Sequence, residues 1–154
     1  MHRRAAGAVA GTVLVLAAGC TGGAVRVPVP EPDEETAALC EAMAERLPET
    51  LYDQQRVATD PDSPLVAAWG DPVISLRCGV ERPGAYRPDA ELTVVDGVAW
   101  LPEPQDEPTM YTSMAREAYV EVSVPASYGA PAQGLVAISE AISAEIPELP
   151  PGEY

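Results

Sequence analysis

The chain has 154 residues, with 9 basic side chains, all arginine, against 24 acidic ones, and three cysteines. That length makes one domain rather than several, and a net charge of −15 repels nucleic acid and anionic membrane faces, so neither is expected as a partner of the folded part. Lys, Asn and Phe are absent and the one histidine is His2, which removes Ser-His-Asp triads, Ser-Lys dyads, Schiff bases and P-loops.

Lys, Asn and Phe have only AT-rich codons, so their joint absence points to a GC-rich genome. What remains for catalysis is carboxylate, Tyr, Ser/Thr and Arg chemistry. Metal binding would rest on oxygen ligands. Asp60-Pro-Asp62-Ser-Pro64 starts like a calcium loop but lacks the glycine at its sixth place and the glutamate at its twelfth, so it is expected to be a turn. No metal and no cofactor is expected.

The first element is an export signal over residues 1–19. Met1-His-Arg-Arg is a short positive start, and the apolar run from Ala5 to Ala18 leads into Leu16-Ala-Ala-Gly-Cys20. This run is short for a spanning helix. Its end resembles a bacterial lipobox, which implies that Cys20 receives diacylglycerol and becomes the first residue after cleavage. Ala17 stands where that motif more often has Leu or Val. The exported portion then carries 7 arginines against 24 acids, a net −17. Residues 20–32, rich in Gly and Pro, are expected to form a semi-extended tether reaching at most about 40 Å, with the folded domain over 33–154.

Within that domain Asp33 is placed to cap a helix from Glu34 to Leu47, with Glu34 and Glu35 in its first turn, a buried stripe of Leu39, Cys40, Met43 and Leu47, and Pro48 as its stop. Val73 to Val80 alternates as a strand, with Ile74, Leu76, Cys78 and Val80 on one face and Ser75, Arg77 and Gly79 on the other. With Cys20 assigned to lipid and export into an oxidising compartment, Cys40 and Cys78 are left as a pair on apolar faces, so a disulfide is expected. Closing a loop of about 39 residues stabilises by about 4 kcal/mol on the chain-entropy model.

Asp96-Gly97 between β-rich runs predicts a two-residue type I′ hairpin over 91–101, in which Val95 faces Val98, Val94 faces Ala99 and Thr93 faces Trp100. Both faces of this hairpin are apolar, so it is expected to be covered on both sides or to keep one side for a partner. In residues 117–124, Ala118, Val120, Val122 and Val124 turn inward while Glu117, Tyr119, Glu121 and Ser123 turn outward. A last helix runs from Gln133 to Ile146 on Leu135, Ile138, Ile142 and Ile146, stopped by Pro147. Helix, antiparallel sheet of five or six strands, helix is an α+β order.

Three clusters carry the candidate binding residues: Ala67-Ala-Trp69-Gly70-Asp71-Pro72, Leu76-Arg77-Cys78-Gly79-Val80-Glu81-Arg82-Pro83, and Met110-Tyr-Thr-Ser-Met-Ala-Arg116. One reading gathers Trp69, Asp71, Arg77, Arg82, Trp100, Tyr111 and Arg116 around a polar, aromatic pocket for an anionic or sugar-like ligand. The other makes Trp69 a core aromatic, Gly70-Asp71-Pro72 a turn, and Arg77 an outward strand residue paired with Glu121 or Asp71. No catalytic residue is singled out, because 24 carboxylates give no pattern from which a hydrolytic pair stands out.

Over roughly Cys40 to Ile142 the chain resembles a family of small actinobacterial membrane lipoproteins of unknown function. The resemblance is carried by Leu47-Pro48, Trp69-Gly-Asp-Pro72, Leu76-Arg-Cys-Gly-Val80 with Pro83, Gly97-Val-Ala-Trp100, the Arg116 segment and Val122-Ser-Val-Pro125. It implies an exported, membrane-anchored protein and brings no activity or cofactor. The resulting expectation is a non-enzymatic lipoprotein on the outer face of the cytoplasmic membrane, binding an envelope protein or wall component. The rival expectations are a carboxylate-dependent hydrolase of wall polymer and a ligand sensor or carrier.

Overall fold

The computed structural model describes residues 23–107, 109–130 and 132–153. The expected leader and Cys20 lie outside the described residues. The chain order is β1 Val25–Arg26, α1 Glu34–Ala44, β2 Thr50–Leu51, β3 Gln54–Val57, β4 Thr59–Asp60, β5 Val66–Trp69, β6 Ile74–Val80, β7 Thr93–Val95, β8 Val98–Glu103, β9 Met110–Met114, β10 Tyr119–Ser123 and α2 Ala132–Glu145. The α+β architecture is as expected, with more strands than the sequence suggested. Eight of them form one sheet in the order β2-β3-β5-β6-β10-β9-β8-β7, and β1 pairs with β4 apart from it. The neighbours within the large sheet are antiparallel.

Helix α1 begins where the capping signal places it: the Asp33 carboxylate accepts the Thr36 N–H at 2.8 Å. It ends at Ala44, three residues short of the expected Leu47. The residue before a proline avoids the α region, so ahead of Pro48 the chain tightens, with Arg46 and Leu47 donating to the carbonyls of Met43 and Ala44. Leu47 is still buried. Cys40 and Cys78 are joined, fastening α1 to the middle of the sheet.

One face of the sheet packs on both helices. Trp69, Leu76, Trp100, Tyr111 and Val122 meet Met43, Leu135, Ile138 and Ile142 in the main core. The type I′ hairpin forms in the expected register, with Asp96 and Gly97 both at positive φ. Gly79, also at positive φ, is the extra residue of a bulge, since Val80 and Cys78 pair with the consecutive Tyr119 and Val120. A Cβ at Gly79 would lie 2.7 Å from the Pro32 ring, so glycine is also what lets the residues ahead of α1 lie flat on β6.

Two parts of the sheet were not expected. Tyr52 and Asp53 make a tight turn with positive φ at both positions; Asp tolerates that conformation, but Tyr is not a usual residue for it. The Tyr52 ring presses against Gly134 of α2, where no side chain would fit, and its hydroxyl donates to the Ala130 carbonyl. These contacts hold the turn and create β2 and β3. Residues 110–114, taken above as part of a candidate binding cluster, are instead strand β9, between β8 and β10.

On the opposite face, Val27 is buried with Val66 and Ala68, and Val25, Val29, Val57 and Val73 pack around them. Half of the stretch taken as a spacer therefore belongs to the folded body, and β5 is covered on both faces. The signal was present as Val25, Val27 and Val29 at every second position; Pro28 between them and Pro30 after them masked it.

Candidate functional site

Strands β6 and β7 follow one another in sequence but are separated in the sheet by β10, β9 and β8. Residues 81–92 must therefore cross the sheet. They do so on the face away from the helices, running diagonally as a strap. At its start, residues 80–84 close over Arg77, Thr112 and Glu121. At its end, Glu91 lies beside the turn after β8, where the Gln105 amide reaches its carbonyl at 3.4 Å. The strap carries its own ties. Arg87 donates to the carbonyls of Gly84 and Tyr86, each at 2.8 Å, and the Arg82 guanidinium stands 4.7 Å from the centre of the Tyr86 ring.

Two hollows lie between this strap and the helix-free sheet face, and a third, of about 540 Å³, lies between Arg82, Tyr86 and Pro88 of the strap and the chain around Leu149 and Gly152. Of the first two, the smaller, about 290 Å³, has Arg77, Arg82, Glu103 and Glu121 in its lining. The larger, about 780 Å³, lies between the second half of the strap and the ends of β8, β9 and β10, with Ala85, Asp89, Glu91, Leu101 and Met110 among its walls. Leu101 is 2% exposed, so the hairpin face that carries it is sealed at this end, whereas Val94 farther along the same face is 69% exposed. The hairpin is thus buried against α2 on one side and only half covered on the other.

The seven expected binding residues do not meet in one pocket. Arg77 and Arg82 share the smaller hollow. There Arg77 forms a bidentate pair with Glu121, Nε to Oε1 at 2.8 Å and Nη2 to Oε2 at 3.0 Å, across directly registered positions of β6 and β10. This is the outward pairing foreseen as the alternative, and it neutralises the arginine. Trp69 and Trp100 are both fully buried on the helix side: Trp69 Nε1 donates to the Pro48 carbonyl at 3.0 Å and Trp100 Nε1 to Ser139 Oγ at 3.1 Å. Tyr111 belongs to the same core; burial pushes its pKa above the usual 10.0, with a smaller upward push from Tyr52. Asp71 is exposed in the β5–β6 turn.

Arg116 is elsewhere again. Only 6% exposed, it donates to the Ile146 carbonyl at the end of α2 and to Glu148, each at 3.0 Å, and reaches the Gly97 carbonyl at 3.5 Å. Its guanidinium ties the end of α2 and the chain that follows to the type I′ turn. Alternation along β6, β8 and β9 explains the separation. Ile74, Leu76 and Cys78 bury toward the helices and Arg77 cannot follow them, while Trp100 and Tyr111 fall on the helix side of their strands.

Most of the motif residues thus have structural jobs. Gly70 takes positive φ against the Gln54 side chain and the Tyr128 hydroxyl, and that hydroxyl donates to the Pro72 carbonyl. Residues 85–91 and the Leu101/Met110 floor were missed, because nothing local in the sequence says that residues 81–92 cross a sheet; only the strand order does. Tyr119, facing outward beneath the strap's first half, has its pKa raised by burial, an effect partly offset by Arg82 and slightly reinforced by Tyr86. Among the described residues no group of three or more His, Cys, Asp or Glu side chains is placed to hold a metal ion, and no helix is long and apolar enough to cross a membrane.

Fold and hollows together define a disulfide-stapled α+β domain whose helix-free sheet face is bridged by a crossing strap. The chain belongs to the DUF3515 family: the family model, described as a protein of unknown function, matches residues 5–151. No curated protein and no solved structure matches it.

Proposed function

We propose that this protein is an exported lipoprotein of the cell envelope, non-enzymatic, that presents its strapped sheet face to a partner protein or wall component outside the cytoplasmic membrane. The observation that carries the reading is the Cys40–Cys78 disulfide, a bond of oxidising compartments. It leaves Cys20 as the one other cysteine, directly after the apolar run of residues 5–18. Residues 1–19 are removed on this reading, and Cys20 carries the diacylglycerol and a further acyl chain, two chains being what a stable anchor needs. The family match begins at residue 5 and so takes in this run and Cys20.

The fold shortens the tether. Only residues 21–24 separate Cys20 from the start of β1, five Cα steps of 3.8 Å or about 19 Å in all. The domain then rides close to the bilayer, with its acidic surface kept off anionic headgroups by repulsion. Mass spectrometry of the membrane fraction tests the anchor: the expected product is a first peptide starting at an acylated Cys20, and a soluble Cys20→Ala variant. An unacylated chain, or one beginning elsewhere, overturns it.

A further inference from the structure

We infer that the larger hollow beside the strap is a docking groove for a short, cationic, amphipathic peptide segment of a neighbouring protein. This deepens the reading of the strapped face as a binding surface and rests on it; it does not depend on the lipid anchor.

Three observations point to that occupant. The groove holds about 780 Å³, within the range that accommodates ligands of a few residues or a drug-sized molecule. Its floor is apolar, with Leu101 and Pro102 buried and Met110 half-buried, and it closes under Ala85 and Ala90 of the strap. Its walls carry Asp89, Glu91 and Glu103. The one basic wall residue, Arg87, is turned onto the strap's own carbonyls at Gly84 and Tyr86. An occupant must therefore offer apolar side chains to the floor and positive charge to the rim. Charge complementarity of this kind sets encounter rate and orientation, while the buried floor supplies most of the affinity.

A second copy of this chain fits poorly. It has no lysine and a net charge of −15, so two copies repel. An anionic glycan or phosphate meets the same repulsion at the rim. The groove also lies three to four strand spacings, about 14 to 19 Å, from β5, where the N-terminal residues pack. The N-terminal residues packed there therefore leave it open to a neighbour.

The test is fluorescence anisotropy of a labelled hexapeptide alternating leucine and lysine, titrated with the full chain in non-ionic detergent. The expected result is saturable binding about tenfold tighter than for the leucine-glutamine hexapeptide, a difference of about 1.4 kcal/mol. Binding of a leucine-glutamate hexapeptide should be undetectable. Affinity for the cationic peptide should weaken steeply between low and physiological salt. The double variant Asp89→Asn with Glu91→Gln should lose most of that advantage and most of the salt dependence, and Met110→Ser should weaken binding several-fold. Glu140→Gln, on the outer side of α2, should change neither. Both rim positions are exposed, so circular dichroism should show the variants folded as the parent.

Equal affinity for the three peptides would overturn the inference. So would equally tight binding of a glycine-lysine hexapeptide, which would leave the apolar floor without a role, or self-association that blocks the groove. The anchor experiment reads a different observable, so either proposal can fail alone.

Discussion

Removing the Cys40–Cys78 bond by the double change Cys40→Ala and Cys78→Ala tests how much of this fold depends on its staple. The two cysteines are 38 residues apart. For a loop of about that length the chain-entropy model gives about 13 cal/mol/K, or about 4 kcal/mol at 25 °C. Over about 130 folded residues the unfolding entropy near the midpoint is about 0.27 kcal/mol/K, so the loss should lower Tm by about 15 °C. Both sulfurs sit in fully buried positions of the main core, and their removal leaves small voids that add to the drop rather than offset it. Thermal melts followed by circular dichroism read the shift. Urea titration reads the mechanism, because an unfolded chain released from its loop exposes more surface and its m-value should rise. A Tm drop below about 5 °C, or an m-value that stays put, would refute the idea that the bond works by constraining the unfolded chain.

Arg116→Leu should cost about 2 to 4 kcal/mol in urea unfolding, because it strips the partner from the Ile146 and Gly97 carbonyls in a buried site. Trp100→Phe should cost about 1 to 3 kcal/mol, since it keeps the aromatic bulk but orphans the fully buried Ser139 hydroxyl; Trp100→Phe combined with Ser139→Ala should recover part of that loss. Gly79→Ala forces a side chain into positive φ and against Pro32, and its melt should reveal a loss of about 2 kcal/mol or more. In alkaline titration Tyr52 should ionise above the usual 10.0, because burial disfavours its phenolate. Its contribution to stability is then complete below pH 10.0 and disappears as pH rises through its raised value. At the other extreme Asp33, held below its usual 3.8 by the Thr36 N–H, supports α1 fully above that value and ceases to do so as pH falls through its lowered one. Asp33→Ala should therefore remove the acid sensitivity of helix content that this cap contributes.

What the sequence disclosed follows from how local each signal is. The Asp33 cap, the Asp96-Gly97 turn and its register, the inward valines of β10 and the stripe of α2 are all set by neighbours within a few residues, and all appear where expected. The disulfide needed only cysteine arithmetic and two apolar faces. By contrast, β2 and β3 depend on Tyr52 meeting Gly134 some eighty residues later, and β9 is a strand because β8 and β10 flank it, although Met110-Tyr-Thr-Ser-Met114 shows no clean alternation. The same holds for the candidate site. Rarity singled out the arginines and tryptophans, but rare residues also serve in cores and clamps, and Trp69, Trp100 and Arg116 do so here. The strap could not be seen at all without the strand order.

Residues 25–29, packed on the sheet face over β5, also determine how a load on the N-terminus would enter the domain. Tension on the chain ahead of Val25 falls first on the parallel pair of β1 with β4, where the Val25 N–H donates to the Ala58 carbonyl at 2.8 Å. Next in line is the Val27 side chain, seated between Val66 and Ala68. Behind it come Pro28, Pro30 and Pro32, and then the helix whose Cys40 is bonded to β6. A pull that detached Val25 and Val27 would therefore free several residues of chain and stop at a covalent bond. The domain would move outward from whatever holds it while the strapped face and the core stayed intact.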